Sequence, residues 1–484
     1  MRRSQFACMS AVVLALSGGV GSLAQRSPDG PSTSPALAGP TAPPGLVDRD
    51  NALDARVGAL VELFAHKGPF SGIVVVAREG KIVAARVAGS ADIEHAAPMR
   101  LDTPVRLASV TKMLTASAVL VLRDRGLVEL DAPISRYLPD APQVWAKVTV
   151  RNLLSHRSGL GEYNDRPEYE ARRHRPTTTA ELWKSVVAAP LRGEPGGESD
   201  YCNSNYVVLG ILIERITHES YDSAMHRLVF TPLGMTATAL DSAEPIVPGR
   251  AVGYCWRGRL EHAEPIDPTN CGGSGGLRST ASDLVRFAHA LSRPGLLKDD
   301  SRREMFDAPP DRYGLGCRIG AIGQHRLIEH GGGFDGFATY LGILPDDDLC
   351  AVVLCNVQQT RTIELGHAIL RTCTGETVGD DEIPEPVDYI PPPRTVTPQE
   401  LGRYAGEYRS ELGTMRFTVD GDHLTAHIEG EPSPQPLTPG DEPGTFLVPG
   451  PARVRMRFPD GGQQPSQTVE INVRGKVVVG TRSK

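Results

Sequence analysis

The sequence predicts an α+β protein: an antiparallel sheet flanked by helices, plus a small C-terminal all-β, barrel-like domain. Three observations predict it. Strand-forming runs stand at both ends of the longer, first part of the chain, with helical periodicity between them, so the two ends can meet in one covered sheet. A proline-rich stretch then breaks the pattern. The tail beyond it is a series of short alternating segments divided by turn signals, the mark of a small barrel or sandwich.

The elements follow in chain order. Residues 1–24 carry Met1-Arg2-Arg3, a mostly apolar run from Phe6 to Leu16 and the small residues of Ser22-Leu23-Ala24. Those are the three parts of a secretory signal peptide. Ser10 and Ser17-Gly18-Gly19 break the run, which leaves it short for a spanning helix, so export is expected rather than a membrane anchor. Residues 25–49, rich in Pro, Ser, Ala and Gly, read as a flexible linker.

The main domain is expected over 50–376. Leu53, Val57, Leu60, Val61 and Phe64 recur at helical spacing until Gly68-Pro69. Gly72–Val76 and Ile82–Ala85 then read as a buried hairpin turning at Glu79-Gly80. Ser109 to Arg125 is helical and stops at Gly126. Strands are expected at Tyr313–Ile319, His325–His330, Phe337–Leu344 and Leu349–Val357, followed by a helix near Ile363–Cys373. Residues 377–396 form a second, Pro-rich linker, expected to be extended and semi-rigid. The small β-domain occupies 397–484, with segments at Met415–Val419, His423–Ile428, Thr445–Val448, Val454–Phe458 and Thr468–Val473.

Composition narrows the function classes. Hydrophobic residues make up 40% and charged residues 23%, an ordinary globular balance. The formal net charge is −7 with no long Lys/Arg run, which argues against a nucleic-acid partner. No Cys-x-x-Cys, His-Glu-x-x-His or similar ligand spacing occurs, so no metal and no cofactor are expected. Of eight cysteines, Cys8 falls in the signal and leaves an odd number. Cys255 and Cys271 flank a loop and are the candidate disulfide; most others read as small buried hydrophobes. Cys350 and Cys355 should point to opposite faces of one strand.

Three motifs carry chemistry. Ser109 and Lys112 lie three apart at the start of a predicted helix, hence on one face. A serine hydroxyl is a weak nucleophile until a neighbouring base takes its proton, and an amine one turn away is such a base. Tyr201-Cys202-Asn203 would present the phenol and the amide to one cleft from an extended segment, the phenol as proton shuttle. His330-Gly331-Gly332-Gly333, at the end of a short strand, offers backbone N–H groups that a substrate oxyanion can approach. Singly, each has a plain reading: a capping serine, a packed tyrosine, a structural histidine.

Together, in this order, they resemble the serine β-lactamase/penicillin-binding-protein superfamily, in its branch of class C β-lactamases and D-Ala-D-Ala carboxypeptidases. Leu153–Leu160, Gly275-Gly276-Leu277 with Ser282-Asp283-Leu284, and Gly333–Phe337 add to the likeness, which spans about Leu53 to Cys373. The tail resembles the small β-domain often appended to such enzymes. The resemblance implies a β-lactamase/transpeptidase-like sheet. It implies a catalytic set of Ser109 as acylated nucleophile, Lys112 as base, Tyr201 as shuttle, Asn203 holding lysine and substrate, and His330. Ser109, Gly332 and Gly333 would make the oxyanion and substrate contacts.

His330 stands where the true class C β-lactamases have lysine. That departure counts against efficient β-lactam turnover and suits a carboxypeptidase, D-amino-acid peptidase or esterase. The expected function is an exported serine hydrolase working through an acyl-enzyme on a small-molecule or peptide acyl substrate, a cell-wall peptide included. A slow β-lactamase and a non-catalytic binding protein on the same fold are the alternatives. His156 reads as packing or support rather than catalysis, Cys202 should point away from the cleft, and Glu329 should face away from His330.

Overall fold

The computed structural model describes residues 46–256, 259–308, 312–379 and 396–483, the last with short breaks at 412, 422, 430–433, 441–442, 449–453, 460–464 and 474–475. The signal and first linker, up to residue 45, and most of the 377–396 linker lie outside the described residues. Two compact units result, one from most of residues 46–379 and one from 396–483.

The first unit is three-layered. α1 (Asn51–Lys67) starts at an Asp50 cap that accepts from the N–H groups of Ala52 and Leu53. β1 (Gly72–Arg78) and β2 (Lys81–Ala88) turn at Glu79 (φ 51°) and Gly80 (φ 73°), the left-handed pair that a two-residue hairpin turn requires. After α2 (Thr111–Asp124), α3 (Asn203–Thr217) and α4 (Ala281–Ser292) come β3 (Arg312–Tyr313), β4 (Arg318–Ile322), β5 (His325–Phe334), β6 (Phe337–Leu344) and β7 (Leu349–Cys355), then α5 (Thr362–Cys373). The sheet is antiparallel in the order β3-β4-β5-β6-β7-β1-β2, so the first hairpin joins the last strands, in register from Gly72 with Cys355 to Arg78 with Leu349.

Burial follows the two-residue period of the strands. Ile73 and Val75 of β1 join the larger core, under α2 and α4; Val74 and Val76 join a second core with the apolar stripes of α1 and α5. A strand covered on both faces must be apolar throughout, which is why β1 reads as a continuous valine run. Cys350 and Cys355 fall in opposite cores, as their spacing predicts.

The structure corrects four expectations. The strand expected at Tyr313–Ile319 is two, split by Gly314–Cys317, where Gly316 has φ 92° and packs on α2 so closely that a Cβ would overlap Ala116. The strand expected to stop at His330 runs on through the glycines to Phe334. Asn203 is not on an extended segment with Tyr201 but opens α3. Cys271 is a free thiol, so it forms no disulfide with Cys255.

The second unit is a closed eight-stranded barrel: β8 (Gly406–Ser410), β9 (Gly413–Asp420), β10 (His423–Ile428), β11 (Gln435–Pro439), β12 (Thr445–Val448), β13 (Val454–Arg457), β14 (Thr468–Val473) and β15 (Lys476–Arg482). β8 pairs with β15 and abolishes the sheet edges. Its interior is filled by Tyr404, Tyr408, Phe417, Phe446 and Phe458, with ring centroids 4.9 to 5.9 Å apart, mostly edge to face. β11, with two prolines, and β15 were not expected from the alternation.

Candidate active site

Ser109 lies in a single 3-10 turn, Ala108–Val110, that leads into α2. The turn is clamped from both sides. Leu107 donates its N–H to the Leu277 carbonyl at 2.8 Å, and its own carbonyl accepts from Thr339 Oγ1 at 2.7 Å. Gly332 lies flat against the same turn, where any Cβ would overlap Thr339 Oγ1 and the Leu107 carbonyl. Ala108 is held at φ 48°, a strained conformation for a residue with a side chain.

Lys112, fully buried on the first turn of α2, brings Nζ to 3.0 Å from Ser109 Oγ. The same nitrogen donates to Asn203 Oδ1 at 2.8 Å and to the Ser274 carbonyl at 2.7 Å. Tyr201 Oη donates to Ser109 Oγ at 2.8 Å, and the Tyr201 ring lies 4.9 Å from Lys112 Nζ. Ser109, Lys112, Tyr201 and Asn203 thus form one connected set.

The rest of the site supports that set. Cys202 points away from the cleft, with Sγ against the Leu160 and Gly161 carbonyls, and burial pushes its thiol up to about 12. His156 (φ 56°) stacks on the Tyr201 ring at 4.4 Å, and its Nδ1 accepts from the Cys202 N–H at 3.1 Å. Burial, then the charge of Lys112, holds His156 well below the usual imidazole range.

His330 is 3% exposed and lies outside the residues that line the cleft. Its Nδ1 donates to the Gly331 carbonyl at 2.6 Å, so Nε2 accepts from Tyr313 Oη at 2.8 Å. Burial first and Lys112 second push it down to about 3, which leaves a neutral ring. Tyr313, which the sequence hid inside a strand, is therefore its partner; Glu329 faces the other way, toward Tyr340 and His367.

Ser109 and Gly333, which line one cleft, each offer a backbone N–H. Ser109 N–H belongs to a first helical turn, whose N–H groups have no partner within the helix. Pairing of β4 with β5 ends at Glu329, so beyond it one edge of β5 is open. The two-residue turn closes on Phe334–Phe337, which makes Gly333–Ala338 a non-hydrogen-bonded pair and turns the Gly333 N–H outward. A Cβ on Gly333 would meet nothing within 4 Å.

In front of these groups is a cleft of about 370 Å³. Besides Ser109, Tyr201, Asn203 and Gly333 it is lined by acidic Asp165, Glu170 and Asp335. Among the described residues Arg173 is the one lining arginine or lysine, and carboxylates hold it: Asp335 at 2.6 Å, Glu264 at 3.2 Å and Glu170 at 3.6 Å. Burial raises the Asp335 carboxyl against the pull of Arg173. Among the described residues no group of three or more His, Cys, Asp or Glu side chains is gathered as a metal would need, and no helix is long and apolar enough to cross a membrane.

The family model described as Beta-lactamase matches residues 53–374. The chain is 27% identical to penicillin-binding protein 4* of Bacillus subtilis over 416 residues, 80% of this chain and 90% of that protein. It is 37% identical to esterase EstB of Burkholderia gladioli over 312 residues, 56% of this chain and 79% of that one. Among solved structures, D-amino acid amidase of Ochrobactrum anthropi aligns with a TM-score of 0.60 at 24% identity, over 67% of this chain and 99% of that chain, a likeness of fold.

Proposed function

The chain belongs to the Beta-lactamase family, whose members are serine hydrolases, and from that premise we propose an exported hydrolase that forms an acyl-enzyme on Ser109. The observation that carries this reading is the connected set of Ser109 Oγ, Lys112 Nζ, Tyr201 Oη and Asn203 Oδ1. In its amine form, Lys112 places two N–H groups on the Asn203 and Ser274 carbonyls and turns its lone pair to Ser109. It takes the hydroxyl proton as Oγ attacks the acyl carbon. The oxyanion forms between the N–H groups of Ser109 and Gly333, and Tyr201 hands a proton to the leaving group. Water then enters by the same route in reverse and releases the acid.

Charge selects among acyl donors. A D-Ala-D-Ala peptide and a β-lactam each bring a carboxylate next to the acyl group. The cleft offers it acidic walls and an arginine already bound by carboxylates, and His330 is neutral. The reading therefore favours esters and D-amino-acid amides or peptides over D-Ala-D-Ala carboxypeptidase or β-lactamase action. The 37% identity to an esterase agrees with it. Residues 1–24 would carry the protein out of the cytoplasm.

Intact-protein mass spectrometry and product release test this with p-nitrophenyl butyrate, a D-alanine p-nitroanilide, a D-Ala-D-Ala peptide and a fluorescent penicillin. The first two should turn over fastest, through an adduct on Ser109 that Ser109→Ala lacks. Lys112→Ala should cost at least ~10²-fold, the low end for a general base. Full turnover by Ser109→Ala would sink the assignment, and no adduct with any donor would favour a binding protein.

A further inference from the structure

Glu162 is a buried carboxylate for which the acyl-transfer steps above have no use. It is 9% exposed, and its Oε1 is buried without a hydrogen-bond partner among the described residues. Its Oε2 accepts from the Asn203 backbone N–H at 2.6 Å and from Asn203 Nδ2 at 3.2 Å. Burial lifts its carboxyl above the ordinary value, against the pull of the Asn203 N–H and the Lys112 charge.

A carboxylate only accepts hydrogen bonds, so it obliges Asn203 to turn its NH₂ inward and its oxygen outward. That oxygen is the one 2.8 Å from Lys112 Nζ. A flipped amide would set N–H groups against the hydrogens of Lys112 and its oxygen against Glu162, losing both contacts. Lys112 has one other carbonyl, that of Ser274 at 2.7 Å. Two carbonyl oxygens claim two N–H groups, and the direction left over faces Ser109 Oγ at 3.0 Å. The aim of the base thus depends on the amide, and the amide on the carboxylate behind it.

We propose that Glu162 is a positioning residue for the proton transfer, orienting Lys112 toward Ser109 through the Asn203 amide. The proposal rests on the acyl-enzyme reading and adds a group that touches neither Ser109 nor Lys112. Its plain competitor is a helix cap: Glu162 also satisfies the first N–H of α3, which would matter for stability alone.

The two separate in steady-state kinetics of the full chain with p-nitrophenyl butyrate. Glu162→Gln keeps the shape and an oxygen for the Asn203 N–H, but removes the charge that fixes the amide. Its kcat should fall ~10- to 100-fold, less than loss of the base itself, with KM and Tm nearly unchanged. Glu162→Asp, which keeps the charge but draws it back by one methylene, should recover part of kcat. In an Asn203→Ala background Glu162→Gln should cost almost nothing more, because the route of its action is gone. An unchanged kcat in Glu162→Gln, or the same fold loss with and without Asn203, would overturn the proposal and leave a cap. Should Glu162→Gln melt below the assay temperature, Glu162→Asp decides: reduced kcat at wild-type Tm supports positioning, and wild-type kcat overturns it. Ser109→Ala and Lys112→Ala assayed alongside keep the two claims apart. If they retain turnover, the acyl-enzyme reading fails and takes this proposal with it; if they lose it while Glu162→Gln does not, the positioning claim falls alone.

Discussion

At the scale of single residues, the site sets two neutral histidines beside the buried Lys112. His330 is held near 3 in the fold against an ordinary 6.5, and its neighbours are Tyr313, Gly331, Lys112, His156 and Arg318. Its folded value is depressed and the neutral ring is the native one. Between pH 6.5 and about 3 the unfolded chain therefore binds a proton that the native chain does not, and stability falls as pH falls. Urea melts at pH ~7.5 and ~5 should show this loss in the wild type and a smaller one in His330→Gln. Sequence spacing gave access to Ser109 and Lys112 because three residues are one helical turn. It gave no access to Glu162 or Tyr313. They meet Asn203 and His330 through space, and nothing local marks a glutamate after a glycine or a tyrosine in a strand as a partner of either.

At the scale of elements, the decisive piece is β5, which carries His330, Gly332 and Gly333 past the turn that holds Ser109. Gly332 packs on that turn and Gly333 faces open space, so equal substitutions should act differently. Gly332→Ala must push β5 from Leu107 and Ala108, and its kcat should drop by up to ~10²- to 10³-fold, the cost of a lost oxyanion donor. Gly333→Ala narrows the cleft but keeps its N–H in place, and its effect should fall mainly on KM. Steady-state kinetics of the two variants checks the contrast. The glycines also explain a misplaced boundary: without side chains they show no two-residue alternation, so the run looks like a loop although the ladder continues through it. Prolines hid β11 for another reason: a residue without an N–H argues against a strand. The valine run of β1 was legible because burial on both faces makes it apolar throughout, and the stripe of α1 because burial on one face imposes a helical period.

At the scale of the molecule, the fold class and its two-part division were legible, whereas closure of the barrel was not, since it depends on β8 meeting β15. The aromatic fill of that barrel leaves Phe458 among four other rings, and Phe458→Ala should destabilise it by ~3–5 kcal/mol, read as faster amide exchange in β8–β15. In the first unit the sheet joins residues 72–88 to residues 312–355, and Gly332 closes on Leu107 and Ala108. On the ribosome, Ser109 and Lys112 emerge more than two hundred residues before the strand that completes their surroundings. Synthesis thus imposes its own order on the fold: a nascent chain carries Ser109 beside an unfinished sheet, and its surroundings close only when β5 through β7 arrive.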